Sequence, residues 1–216
     1  MRILLGTCLV LFFSVSAFAA PDHGMMVQEA MNDLGIPPAE EFQRRLEAKD
    51  PMMTVGVAAR YLGQQQCSKA RYWLEAVKAK DGIEYDDLAG LMYLNGDCVP
   101  QDIRYAQILF KRSASKSYWC KEHLLSAYLV DPYCNPKDTF VLARELASYG
   151  NELGIYTVAG CYAQGTGTIR NFEKAYMWSL VGMSLVRHPE QRRIYHGMAN
   201  ALEALLTEAQ CNRQRM

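Results

Sequence analysis

Two stretches of this 216-residue chain repeat each other at a spacing of 69 positions. Tyr93 aligns with Tyr162, Gly96 with Gly165, Asp102 with Asn171, and Ala106 with Ala175. Half that spacing is about 34 to 35 residues, the length of a unit built from two helical stretches and a turn. A third and more degenerate copy is then expected between the two, with Tyr128 in its tyrosine position. Units of this size cannot bury an apolar face alone, so they stack. The expected fold is all-α, a solenoid of helical hairpins.

The local pattern agrees with that period. Leu88, Leu91, Met92 and Leu94 share an apolar helix face, and Gly90 removes side-chain bulk where a neighbouring helix can approach. Asn95-Gly96-Asp97 breaks this helix, and Asp102 is placed to accept hydrogen bonds from the free amides that open the next one. Ala159, Gly160, Tyr162 and Gly165-Thr166-Gly167 repeat the arrangement, with Asn171 as the cap. Small and large residues alternate on one face at Ala70 and Trp73, Ala106 and Leu109, and Ala175 and Trp178. Helices are predicted near 52–64, 67–80, 84–95, 102–115, 118–130, 137–149, 152–164, 171–185 and 189–209. No stretch alternates with the two-residue period of a strand.

The start of the chain reads differently. Arg2, the apolar run from Ile3 to Val15 and the ending Ala17-Phe18-Ala19 have the form of a signal peptide over 1–19, cleaved before Ala20. About thirteen apolar residues fall short of the roughly 20 that span a bilayer. Residues 20–51 are expected to hold a mobile lead-in to about residue 36, then a helix opened by Pro37-Pro38-Ala39-Glu40-Glu41 and ended by Asp50-Pro51. Residues 52–188 form the repeat solenoid, and 189–216 a capping helix and tail. Export places the mature chain in the periplasm or outside the cell, without stable membrane insertion. Its 22 basic and 23 acidic side chains provide no global field toward nucleic acid or anionic lipid.

Removal of the signal peptide leaves Cys67, Cys98, Cys120, Cys134, Cys161 and Cys211. An even number in an exported chain points to disulfides. Cys120 and Cys134 bracket one predicted helix and lie about 20 Å apart at 1.5 Å per residue, beyond bonding reach. Stacked hairpins bring Cys67, at the start of a second helix, toward Cys98 in the turn of the next repeat. By the same logic Cys134 can meet Cys161, while Cys120 and Cys211 are either free or paired with each other. The alternative is that some of these cysteines are small buried apolar residues.

Chemistry is harder to find. His23, His123, His188 and His196 have no metal-ligand spacing, so no metal and no cofactor is expected. Ser113-Ala114-Ser115-Lys116 has the S-x-x-K spacing of penicillin-recognising enzymes, but neither S-D-N nor K-T-G accompanies it. Gly165-Thr166-Gly167 lacks the lysine and preceding strand of a phosphate loop. Asp86-Asp87 and Glu40-Glu41 point in different directions on a helix. A concave face including Asp87, Gln164 and residues near Glu122 and His123 is the expected contact surface, and no catalytic residue is expected.

The small residue, Leu-Gly, tyrosine, Gly-x-Gly, Asp and Lys-Ala-aromatic order of these copies resembles the Sel-one-like repeat, which is tetratricopeptide-like. The resemblance is strongest over Tyr156 to Gly182, and it implies a right-handed superhelix that assembles protein complexes in the bacterial envelope. Its framework residues here are Gly90, Tyr93, Gly96, Asp102, Ala106, Tyr162, Gly165, Gly167, Asn171, Ala175 and Trp178. The Cys67 to Cys98 spacing, the turn from Gly96 to Asp102 and Ala175-Tyr176-Met177-Trp178 also resemble the MotX-like proteins of flagellar motors. A cysteine-rich branch of the repeat family implies the alternative, a penicillin-binding or β-lactamase-like hydrolase. Its regular pair of cysteines in every repeat is not found here.

Overall fold

The protein is described from a computed structural model, which covers residues 22–35, 40–78 and 82–214, with 207–214 as backbone alone. The expected signal peptide, the Pro37-Pro38 helix start and the Cys211 side chain lie outside these described residues. The described residues form eleven helices and no strand: α1 (His23–Asp33), α2 (Glu40–Glu47), α3 (Pro51–Gly63), α4 (Cys67–Lys78), α5 (Ile83–Asn95), α6 (Ile103–Ala114), α7 (Tyr118–Val130), α8 (Pro136–Ser148), α9 (Glu152–Gln164), α10 (Phe172–Leu185) and α11 (Pro189–Gln214). They divide into two compact units, Met1–Ala48 and Lys49–Met216.

In the first unit, the expected lead-in contains a helix. Asp22 caps α1 by accepting from the Gly24 amide at 2.7 Å, and Val27, Ala30 and Met31 form its buried stripe. His23 Nε2 bonds the Leu46 carbonyl at 3.0 Å, which ties α1 to the end of α2. The helix ending expected at Asp50 comes earlier, at Glu47. Asp50 instead caps α3, accepting from the Met53 amide at 3.1 Å.

The second unit is the solenoid, in hairpins α3–α4, α5–α6, α7–α8 and α9–α10, with α11 packed along α10. First helices touch in order, α3 with α5, α5 with α7 and α7 with α9, and second helices show no ladder of similar extent. First helices therefore line the inside of the curve. The two clear copies are built alike. Gly96 and Gly165 end α5 and α9 in the left-handed region, with φ of 80° and 79°. Asp102 and Asn171 each accept a backbone amide, of Tyr105 and of Lys174, at 2.9 Å. Their own amides donate to the carbonyls of Tyr93 at 2.9 Å and Tyr162 at 2.8 Å, closing the turn in both copies.

The third copy departs from this pattern. The residue after α7 is Asp131, in extended backbone, and α7 packs more closely on α6 than on its partner α8. Each copy contributes buried residues to the core, which falls into neighbouring clusters. Ala70, Trp73, Ala106, Phe110, Ala143 and Ala175 are all buried, and a methyl at Gly90 would meet Phe110 Cε1 at 2.4 Å.

Candidate functional site

The inner layer leaves one long apolar groove where α11 closes the last hairpin. Tyr195 anchors α11, because Gly182 of α10 has no side chain where the tyrosine ring passes. A Cβ there would lie 2.2 Å from Tyr195 Cε1. The Tyr195 hydroxyl donates to the Glu152 carbonyl at 3.1 Å, and burial holds its pKa well above the usual tyrosine value. Tyr156 of α9 meets the Tyr195 ring edge-on at 6.1 Å and still has 45 % of its surface exposed.

On one side of Tyr156 a hollow of about 410 Å³ is bounded by Glu122 of α7, Glu152 and Leu153 of α9, and Ile194 of α11. On the other side a hollow of about 460 Å³ runs along Gly160 and Ala163 to Met198 and Leu202, with Leu129 of α7 opposite. Leu153 and Tyr156 border both, so the two hollows form one groove. Each is within the size range of binding pockets, and the residues are mainly apolar. The charged groups bordering it are Glu122 and Glu152, and neither has an ion-pair partner among the described residues. Exposed apolar surface with unpaired carboxylates at its edge suits a polypeptide segment that is apolar on one side and basic at its margin.

Of the residues expected on the concave face, Glu122 and Gln164 border this groove. Asp87 and His123 do not. They bind each other across α5 and α7, with Asp87 Oδ1 2.6 Å from His123 Nδ1 and the His123 ring 5.6 Å from that of Phe110. The adjacent Asp86 points the other way, into the α5–α6 contact. Its carboxylate accepts from Arg112 Nε at 3.0 and 3.1 Å and from the Ser113 hydroxyl. Ser113 is thus buried and held by an aspartate, while Lys116 is exposed. A nucleophilic serine needs its proton removed by a neighbouring base, and the lysine does not face Ser113 as a bonding partner.

Cys67 and Cys98 are joined, with their Cα atoms 5.1 Å apart. The expected Cys134 to Cys161 bridge is absent, and both thiols are free. Cys134 sits in the α7–α8 turn with Sγ 3.5 Å from Thr139 Oγ1, and Cys161 is buried in the core with Leu125, Phe140 and Val158. That pairing depends on the register of the third copy, whose turn after α7 departs from the repeat. Cys120 is also a buried free thiol, and burial pushes its pKa up to about 11. Tyr93 and Tyr162 are occupied in packing, Tyr93 edge-on to Tyr105 at 4.7 Å and Tyr162 edge-on to Phe140 at 5.3 Å. No group of three metal-ligating side chains occurs among the described residues, and none of their helices is long and apolar enough to cross a membrane.

Stacked helical hairpins with a lined inner groove define a repeat protein of the solenoid class. The family model of the Sel1 repeat matches residues 87–118 and 151–180. Two solved structures share the fold. One is a Sel1 repeat protein from Oxalobacter formigenes, at 14% identity and a TM-score of 0.56, over 82% of this chain and 85% of that one. The other is c5321, a protective antigen of uropathogenic Escherichia coli with an SLR fold, at 15% identity and a TM-score of 0.58. That match covers 83% of this chain and 45% of c5321, so the chain spans less than half of that protein. No curated protein matches the sequence.

Proposed function

We propose that this chain is a non-enzymatic scaffold of the bacterial envelope that holds a segment of another protein in the groove between α7, α9 and α11. The observation that carries the reading is the half-exposed Tyr156, which lies between two apolar hollows bordered by unpaired Glu122 and Glu152. Sel1 repeats generally serve protein interactions, and the groove provides the surface for one. The partner segment is apolar with basic residues along one edge, bound as a helix or an extended strand. The signal-like start of the chain supports export, and the Cys67–Cys98 bridge is in keeping with an oxidising compartment.

A narrower role in a flagellar motor rests on the MotX-like turn and cysteine spacing, and the bridge between those two cysteines favours it. Deletion of the gene with loss of motility, restored by the wild-type chain, is the outcome expected for that role; unchanged swimming contradicts it. The scaffold reading is tested by fractionating cells and co-purifying partners with wild type and a Tyr156→Asp, Ile194→Asp double variant. A partner recovered from the envelope fraction with wild type and lost with the variant is expected. Recovery of the same proteins by both contradicts the groove as the binding surface.

A further inference from the structure

A second cleft, sharing no lining residue with this groove, lies between α4 and α5. Its volume is about 570 Å³. One wall is α4, with Arg71, Tyr72 and Leu74, and the floor is α5, with Tyr85 and Met92. The far wall is the turn holding Val99 and Pro100. The Cys67–Cys98 bridge joins the two walls, since Cys67 precedes Ser68 at the edge of α4 and Cys98 precedes Val99. The covalent link therefore fixes the width of the cleft.

Two groups in this cleft have unspent hydrogen-bonding capacity. Tyr85 is 4% exposed, and its hydroxyl has no hydrogen-bond partner among the described residues. Tyr85 lines the cleft from α5. Burial raises its pKa, so it remains a donor at neutral pH. The Arg71 guanidinium has no ion-pair partner among the described residues. Glu75, a carboxylate that also lines the cleft one turn further on, is bound by Lys78 at 3.2 Å, which offsets its charge, and Lys78 itself lies near enough to Tyr85 to interact with it electrostatically. A buried donor and a free guanidinium facing an apolar floor call for an acceptor that is charged and attached to an apolar body.

We propose that the bridged cleft between α4 and α5 is a binding site for an apolar carboxylate, with Arg71 and the Tyr85 hydroxyl on the carboxylate and Tyr72, Leu74 and Met92 around the apolar body. That chemistry is offered by a small aromatic or aliphatic acid and equally by the carboxyl terminus of a polypeptide ending in an apolar residue. The site is independent of the inner groove, and neither needs the other.

The test is titration calorimetry on the full, oxidised chain with three probes: 3-phenylpropionate, the tripeptide acetyl-Ala-Ala-Phe with a free carboxylate, and its carboxamide. Saturable binding of one or both acids is expected, with the amide at least about 10-fold weaker. Tyr85→Phe removes only the donor and is expected to weaken acid binding about 5- to 10-fold, and Arg71→Gln to weaken it further. Preference for the tripeptide acid identifies a chain end as the ligand, and equal binding of 3-phenylpropionate identifies a small acid. Equal affinity for acid and amide, no saturation by any probe, or acid binding unaffected by both variants overturns the proposal. Thermal melts of each variant accompany the titrations, because Tyr85→Phe leaves the core packing in place.

Discussion

Gly90 has no room for a methyl group, since Phe110 lies 2.4 Å from where its Cβ would be, and Phe110 is itself fully buried. Gly90→Ala is expected to destabilise the chain by about 1–3 kcal/mol in denaturant titration, the usual range for overpacking a core. Gly56, on the exposed side of α3 with nothing within 4 Å, gives the opposite sign. Gly56→Ala should stabilise by up to about 1 kcal/mol through helix propensity. Asp86 is 2% exposed and holds both Arg112 and the buried Ser113. Asp86→Ala leaves that hydroxyl without its acceptor and should cost about 2–4 kcal/mol by the same measurement. The thiols differ in the same way. Among the described free cysteines, brief alkylation of the native protein should mark Cys134 and spare Cys120 and Cys161, which react only after denaturation. Labelling of Cys120 in the folded chain contradicts its burial and raised pKa.

Helix pairs show why much of the fold was legible in the sequence and why part of the site was not. The caps at Asp102 and Asn171 and the left-handed glycines Gly96 and Gly165 are local signals, decided within a few residues. The same 69-position spacing carries a further correspondence. Cys67 and Cys98 map onto Pro136 and Gly167, and where the first pair is bonded the second is a close backbone contact. A Cβ on Gly167 would lie 2.1 Å from the Pro136 carbonyl oxygen. Both turn residues are left-handed, with φ of 61° at Cys98 and 70° at Gly167. Gly167→Ala is therefore expected to loosen the α8 to α10 region by more than 1 kcal/mol, in the usual range for strained backbone. The signal for α1 was present in Asp22 and in the spacing of Val27, Ala30 and Met31, but it was obscured by the absence of a repeat there. The groove itself could not be read, because it depends on α11 crossing to α9, a contact of 43 positions between Tyr195 and Glu152. Tyr156 carries no signal of its own in the sequence, and the packed structure leaves 45 % of its surface open.

At the scale of the whole solenoid, each hairpin contacts its neighbours and little else, so stability spreads only locally. The Cys67–Cys98 bridge closes a separation of 31 positions, and its loss should cost about 3–4 kcal/mol by the chain-entropy relation. Hydrogen exchange after reduction should accelerate in α3 to α5 and leave α9 to α11 unchanged; uniform acceleration contradicts the local picture. The inner groove belongs to the part that stays folded, so partner binding is expected to survive reduction. The most direct measurement of its role is site-specific photo-crosslinking in living cells, with the reactive group at Tyr156 in the groove or at Gln107 of α6, outside it. The expected result is a discrete adduct from position 156 alone, mapped by mass spectrometry to an apolar segment with basic residues, and weakened when Glu122 and Glu152 are reversed to lysine. No adduct from position 156, or the same adduct from position 107, contradicts the groove as the place where this scaffold holds its partner.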